Sequence, residues 1–386
     1  MSTERTKMKK LRLKKSDIAL ISIFVMLILI NALSWISTAF SDFYVQKIYP
    51  VYSTIPIFIS GLLPFSLGEI MIIVFVLMGI IGIPAIIVFA IVKRKDTAAS
   101  KKVLMKTMRL LCWILVYILA TETLGCFVMY HCTKFSDRYF EPVEHNEELL
   151  LDTLSAVSLR IADLYDNFER DEDGYIALSY DPASECVSAM KSLSSEYSQL
   201  KGVFPKPKKI LNSFFMSQEG IIGLYIPFAF EATYNRDIQP IAAPSTICHE
   251  LAHLKGIIQE DEASFVAIMA CWTHGSDTLK YSACLDAFYY LYKNALDLRG
   301  TDYEDRLWQA VAPVPSQVWD NDIGSYTADY WEKNQHKEII PTETVAAVSE
   351  VLTEANLTMN GVKDGINAYN RVVELLMDYY GNGGKI

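Results

Sequence analysis

At 386 residues the chain is long enough for two domains. Its 51% hydrophobic content and mean hydropathy of +0.19 stand beside an ordinary 21% of charged residues, so the apolar residues are unevenly spread. Residues 1–131 carry 15 Lys/Arg against 6 Asp/Glu, net +9, whereas residues 132–386 carry 20 against 39, net −19. A basic membrane part joined to an acidic soluble part excludes nucleic acid as a partner, because the larger half repels phosphate and the basic residues of the smaller one sit at membrane edges.

Seven cysteines are scattered without CxxC pairs, and Cys112 and Cys126 fall in an apolar segment. They read as small buried apolar residues, although Cys271 and Cys284 could pair in an oxidising space.

Residues 1–17 form a basic cytoplasmic tail. No charge occurs from Ile18 to Ser41, longer than the ~20 residues a helix needs to cross a bilayer, so a first span is predicted over about 18–40. A cleaved signal peptide is the rival reading. Ser37-Thr38-Ala39 is a poor cleavage site, however, and the apolar run exceeds the usual ~7 to 15 residues, which favours an uncleaved anchor. The next uncharged stretch, Lys47 to Glu69, is punctuated by Pro50, Pro56, Gly61 and Pro64 and is expected to be an interfacial or re-entrant loop.

A second span is predicted over about 70–92. It is followed by a basic loop with Lys93, Arg94, Lys95, Lys101, Lys102, Lys106 and Arg109, and a third span over about 110–130. Three spans place both basic segments in the cytoplasm and the acidic domain outside, whereas a fourth would expose the basic loop. Glu122, near the middle of the third span, is either a functional group or hydrogen-bonded to polar residues such as Asn31.

Residues 132–386 read as an extracytoplasmic domain, mainly α with a small sheet (α+β). Periodicity predicts a helical lead-in over 142–200 and a sheet over 208–234 from Lys209–Met216, Ile221–Ile226 and Phe228–Tyr234. A metal site is predicted over 244–272, and a helical C-terminal part over 276–380, broken near Gly361. No internal repeat is found.

The most specific stretch is His249-Glu250-Leu251-Ala252-His253. On a helix, residues four apart share a face, so His249 and His253 can reach one metal ion, expected to be Zn2+. Glu250, one step round, is then offered to the attacking water as general base. Two imidazoles and a carboxylate make the ligand set of a zinc hydrolase acting on a peptide or protein substrate.

Glu260-Asp261-Glu262-Ala263-Ser264 supplies the third ligand and resembles the Glu-x-x-Ala-Asp/Asn pattern of glutamate-ligand zincins. Glu260 is the expected ligand, Glu262 is the alternative, and Asp261 is expected to cap the second helix. Ser264 stands where the pattern has Asp or Asn, which puts a hydrogen bond to a ligand histidine in question. Gly256 fits the longer HExxHxxGxxH pattern, but Gln259 stands in place of its third histidine. His274, Tyr281, Tyr289 and Tyr290 are nearby polar candidates without an assigned role.

Beyond the site, the chain resembles the bacterial membrane family known as domain of unknown function 3810. The likeness rests on Pro64-Phe65-Ser66-Leu67-Gly68-Glu69, Tyr225-Ile226-Pro227-Phe228, Glu231-Ala232, the HExxH run, Glu260-Asp261-Glu262-Ala263, and Gly361-Val362-Lys363 to Tyr369-Asn370-Arg371-Val372-Val373, with Thr233 and Ser264 as departures. It implies a three-span, gluzincin-like zinc metallopeptidase. The expectation is therefore a multi-pass metalloprotease in the lipid bilayer, set against a catalytically silent zincin-like sensor or assembly module.

Overall fold

The computed structural model describes residues 14–92, 97–360 and 371–386. Residues 1–13 of the basic tail, Lys93 to Asp96 and the expected break near Gly361 lie outside them. Three described helices are long and apolar enough to cross a membrane: Lys15–Ile36 (span 1), Leu67–Phe89 (span 2) and Lys102–His131 (span 3). Spans 1 and 3 are tied twice. Asp17 takes two hydrogen bonds from Arg109 at one end, and near the other Asn31 donates to Thr123 Oγ1 at 2.8 Å. The polar partner of Asn31 among the described bonds is thus Thr123, the neighbour of Glu122.

The stretch expected to be a loop is instead a helix, Tyr49–Gly61. Pro50 falls in its first turn, where a missing N–H costs nothing, and Pro56 is accommodated inside. It continues a helical run from Thr38–Phe43 through a π-turn at Tyr44–Ile48, and this run is not among the described helices that are both long and apolar enough to cross. Its two faces are unlike: Tyr49, Ser53, Ile57 and Ser60 are buried against the rest of the chain, while Val51, Ile55, Phe58 and Ile59 are exposed. The three long apolar helices expected from the charge pattern are present, while the prolines do not prevent a helix at Tyr49–Gly61.

The remainder is mostly helical, around a three-stranded sheet in the order β1-β3-β2. β1 (Lys208–Ile210) runs parallel to β3 (Glu231–Asn235), and β2 (Gly223–Ile226) pairs antiparallel with β3 on its other side, leaving β2 at an edge. The strands are shorter than the apolar runs suggested, because after Ile210 the chain turns into a helix, Ser213–Gln218. The expected helical part over 276–380 is similarly interrupted, with a π-turn at Val318–Asp322 and a short helix at Tyr330–Asn334.

Two helices form the heart of the domain: Ala243–His253, termed the metal helix for the candidate site it carries, packs on β2 and β3, and Glu260–His274, the ligand helix, packs on the metal helix. One apolar core joins them to the lead-in helix Glu147–Leu164 and to Tyr44, Tyr49, Ile57, Val128, Met129 and Phe135 from the membrane-proximal segments. The interior of the acidic half thus begins before residue 131.

Buried carboxylates fasten the sheet to span 2. Glu231 accepts from Ser66 Oγ at 2.8 Å and Gly68 N at 2.9 Å, capping the first turn of span 2, and pairs with Lys208 Nζ at 2.5 Å. Glu69, in that same turn, accepts the Leu211 and Asn212 N–H groups just beyond β1. The seven cysteines are free; Cys271 lies against Cys248, with Sγ atoms 3.6 Å apart.

Candidate metal centre

The metal helix places His249 and His253 one turn apart, with their rings edge to face at 4.4 Å. A tight turn follows. Gly256 has φ +84°, and a Cβ there would stand 2.9 Å from Met129 Sδ, so both the backbone sign and the space demand glycine. The turn delivers Glu260 at the start of the ligand helix. Glu260 Oε2 lies 3.1 Å from His249 Nε2 and 3.5 Å from His253 Nε2, and one candidate ligand atom from each of these three residues lies within 4.8 Å of the others.

The outer nitrogens of both histidines are also engaged. His253 Nδ1 donates to the Ile257 carbonyl at 2.7 Å, and His249 Nδ1 meets Ser264 Oγ at 3.1 Å. These bonds orient the rings and favour the tautomers that leave Nε2 free to bind a metal. Ser264, which departs from the Asp/Asn pattern, is thus the side chain that meets His249 Nδ1.

Charge within the cluster is concentrated. Burial disfavours a proton on His249, whose pKa is lowered. Burial acts the same way on His253, but Glu260 and Glu250 beside it outweigh burial and hold it at about 9. Glu260, although buried, is kept well below the usual carboxylate range by the two imidazoles.

Glu250 points the other way round the helix, under β2. Burial, reinforced by the nearby Glu260 charge, pushes it up to about 8 against the pull of His253 and of the Tyr225 N–H. Its Oε2 is buried without a hydrogen-bond partner. Gly223 leaves the room: a Cβ there would come within 2.3 Å of Glu250 Oε1. An isolated glycine in a strand pattern signals such an approach, and this is a trace of the site that the sequence carries outside the HExxH run.

Glu262 is not with the cluster. It is fully buried on another side of the ligand helix, accepting from Ser136 N at 2.8 Å and Ser136 Oγ at 2.6 Å. Asp261 pairs with Lys134 at 3.1 Å. Gln259 donates to the carbonyls of Met129 and Tyr130 at 3.3 Å each. The first turn of the ligand helix is thus fastened to the end of span 3 and the segment after it.

The other polar candidates are elsewhere. His274 contacts Glu196 at 2.7 Å, Tyr281 donates to the buried Asp322, and Tyr289 is half exposed. Lys255, out of place in an apolar flank, is buried with Nζ donating to the Val203 carbonyl above the Phe204 ring; burial lowers it to about 7.

A family model for proteins of unknown function (DUF3810) matches residues 44–377. The chain belongs to this family. No curated protein and no solved structure matches it. The DUF3810 match takes in the interfacial helix, spans 2 and 3, the sheet, the His249–His253–Glu260 cluster and the contacts that tie it to span 3. Span 1 precedes the match. Of the tail residues that carried the resemblance, Gly361 to Asn370 lie outside the described residues, while Arg371, Val372 and Val373 open the last helix, Arg371–Gly381.

Proposed function

We propose that this protein is a membrane-anchored zinc metallopeptidase with a zincin-like site, hydrolysing peptide bonds outside the cytoplasmic membrane. One observation carries the reading: two imidazole Nε2 atoms and a Glu260 oxygen converge on one point, while beside them Glu250 keeps a buried oxygen without a partner. Two histidines and a carboxylate, each ring fixed through its other nitrogen, suit zinc and leave a coordination position open. Zinc held by His249, His253 and Glu260 would polarise a peptide carbonyl and acidify an attacking water.

The chain's own groups supply the remainder. Glu250, held near neutrality by burial, is suited to take a proton from water on its carboxylate and return it to the leaving amine. The Ile222 carbonyl accepts from Asn235 N, so by strand alternation the polar groups of Gly223 and Tyr225 face the open edge of β2. A substrate in extended form can add to that edge. The basic residues flanking spans 1 and 3 support a cytoplasmic N-terminus and an outward-facing site.

The test is metal content and peptide turnover of the full-length protein and its Glu250→Gln variant. Both should carry one zinc per chain, and the variant should lose about 10²- to 10⁴-fold in turnover. A native rate in Glu250→Gln refutes the reading, and wild-type protein that binds no zinc favours the silent membrane module.

A further inference from the structure

The height of the metal cluster relative to the membrane can be read from what touches it. The turn between the metal and ligand helices rests on membrane-proximal residues: Tyr49 hydroxyl donates to the Leu254 carbonyl at 3.1 Å, and Gln259, next to Glu260, is bonded to the carbonyls of Met129 and Tyr130 in the last turn of span 3.

The edge strand points downward from there. Beyond β2 the chain turns at Pro227–Phe230, where the Phe228 carbonyl accepts from Tyr117 at 2.6 Å and the Phe228 ring lies 6.3 Å from Phe75. Tyr117 is eight residues before Gly125, where the α-helical part of span 3 gives way to a short 3-10 turn ending at His131, and Phe75 is eight residues into span 2. Tyr117 is therefore ~12 Å below Gly125 and Phe75 ~12 Å down span 2, inside the hydrocarbon. The Tyr225 hydroxyl donates to the Gly125 carbonyl at 3.3 Å, Ile226 fills the space beside Gly68 in the first turn of span 2, and Glu250 packs against Gly223, two residues back along β2. The Glu250 carboxylate is therefore about level with the outer ends of spans 2 and 3.

One amphipathic element agrees with this level. The exposed apolar face of Tyr49–Gly61 needs lipid to cover it.

Resting on the peptidase reading, we propose that the substrates are membrane-anchored proteins, cut in the stretch that leaves the outer surface of the bilayer within a few residues of their anchor. An extended chain covers ~3.3 to 3.6 Å per residue, so a bond at the level of Glu250 lies within a few residues of the end of a transmembrane helix, the count being set by the sideways reach from anchor to site. The open edge of β2 receives this stretch as it emerges.

The experiment uses the full-length zinc-loaded protein in liposomes with three reporters sharing one randomised segment: fused directly to a transmembrane helix, fused through a rigid helical spacer of ~30 Å, or soluble. The spacer keeps the anchor, and so the local concentration, but lifts the segment away. The directly anchored reporter should be cut within about ten residues of its helix, and both others at least ~tenfold more slowly. Equal rates for the spaced or the soluble reporter, abolished by Glu250→Gln, overturn the inference and leave the peptidase standing. No cleavage of any reporter by protein that carries zinc overturns both.

Discussion

Glu260 and Glu262 stand two residues apart in the first turn of one helix, yet their surroundings are opposite. Glu262 has its two oxygens filled by donors from Ser136 and is sealed from solvent. Glu260 faces two imidazoles, and the neighbouring Glu250 has an oxygen with no donor at all. A buried acid whose hydrogen bonds are complete is a fastener, whereas one held beside convergent donors and an unsatisfied neighbour is poised for something not yet bound.

The strongest way to break this contrast is to neutralise each acid in turn. Glu260→Gln should lose the zinc. Glu262→Gln should keep it and lose about 1–3 kcal/mol of stability, because an amide cannot accept from both Ser136 donors as a carboxylate does. Metal content and denaturant melts measure the two effects, and zinc loss in both variants would erase the distinction.

A finer test is Ser264→Ala. It removes the partner of His249 Nδ1 without touching a ligand, and should weaken zinc binding about 10- to 100-fold in competition with a chelator. Unchanged affinity would reduce Ser264 to a packing residue.

The smallest expected effect is on pH. Without metal, His253 keeps its proton up to about 9, and zinc needs the neutral ring. Protonation therefore competes as pH falls, and affinity should drop about tenfold per unit below that value, with close to one proton released at pH 7. Calorimetry in buffers of different ionisation enthalpy counts that proton, and a count near zero would mean that the cluster does not hold it.

Much of this was legible from the residues alone. The charge runs separated three spans, because each uncharged stretch of membrane length has a chemical boundary. The four-residue spacing placed His249 and His253 together, because it depends only on helix geometry. The choice between Glu260 and Glu262 was open, since both lie within one turn and only the path from Gly256 decides which face meets the histidines. Ser136 is more than a hundred residues from its partner and leaves no local trace. The helix Tyr49–Gly61 was hidden for a different reason: its prolines occupy positions that a helix tolerates, and its apolar face is turned outward, opposite to the pattern of a soluble helix.

The contact of Gly256 with Met129 and Tyr49 has a consequence for biogenesis. Residues 44–57 and 128–135 leave the ribosome well before the metal helix, and they form one wall of the pocket into which it packs. If the three apolar helices are membrane spans, a nascent chain has that wall only after they are inserted. On the peptidase reading, insertion does for this chain what removal of a pro-segment does for a secreted zymogen: activity is deferred until the protein has reached the place where it is to work.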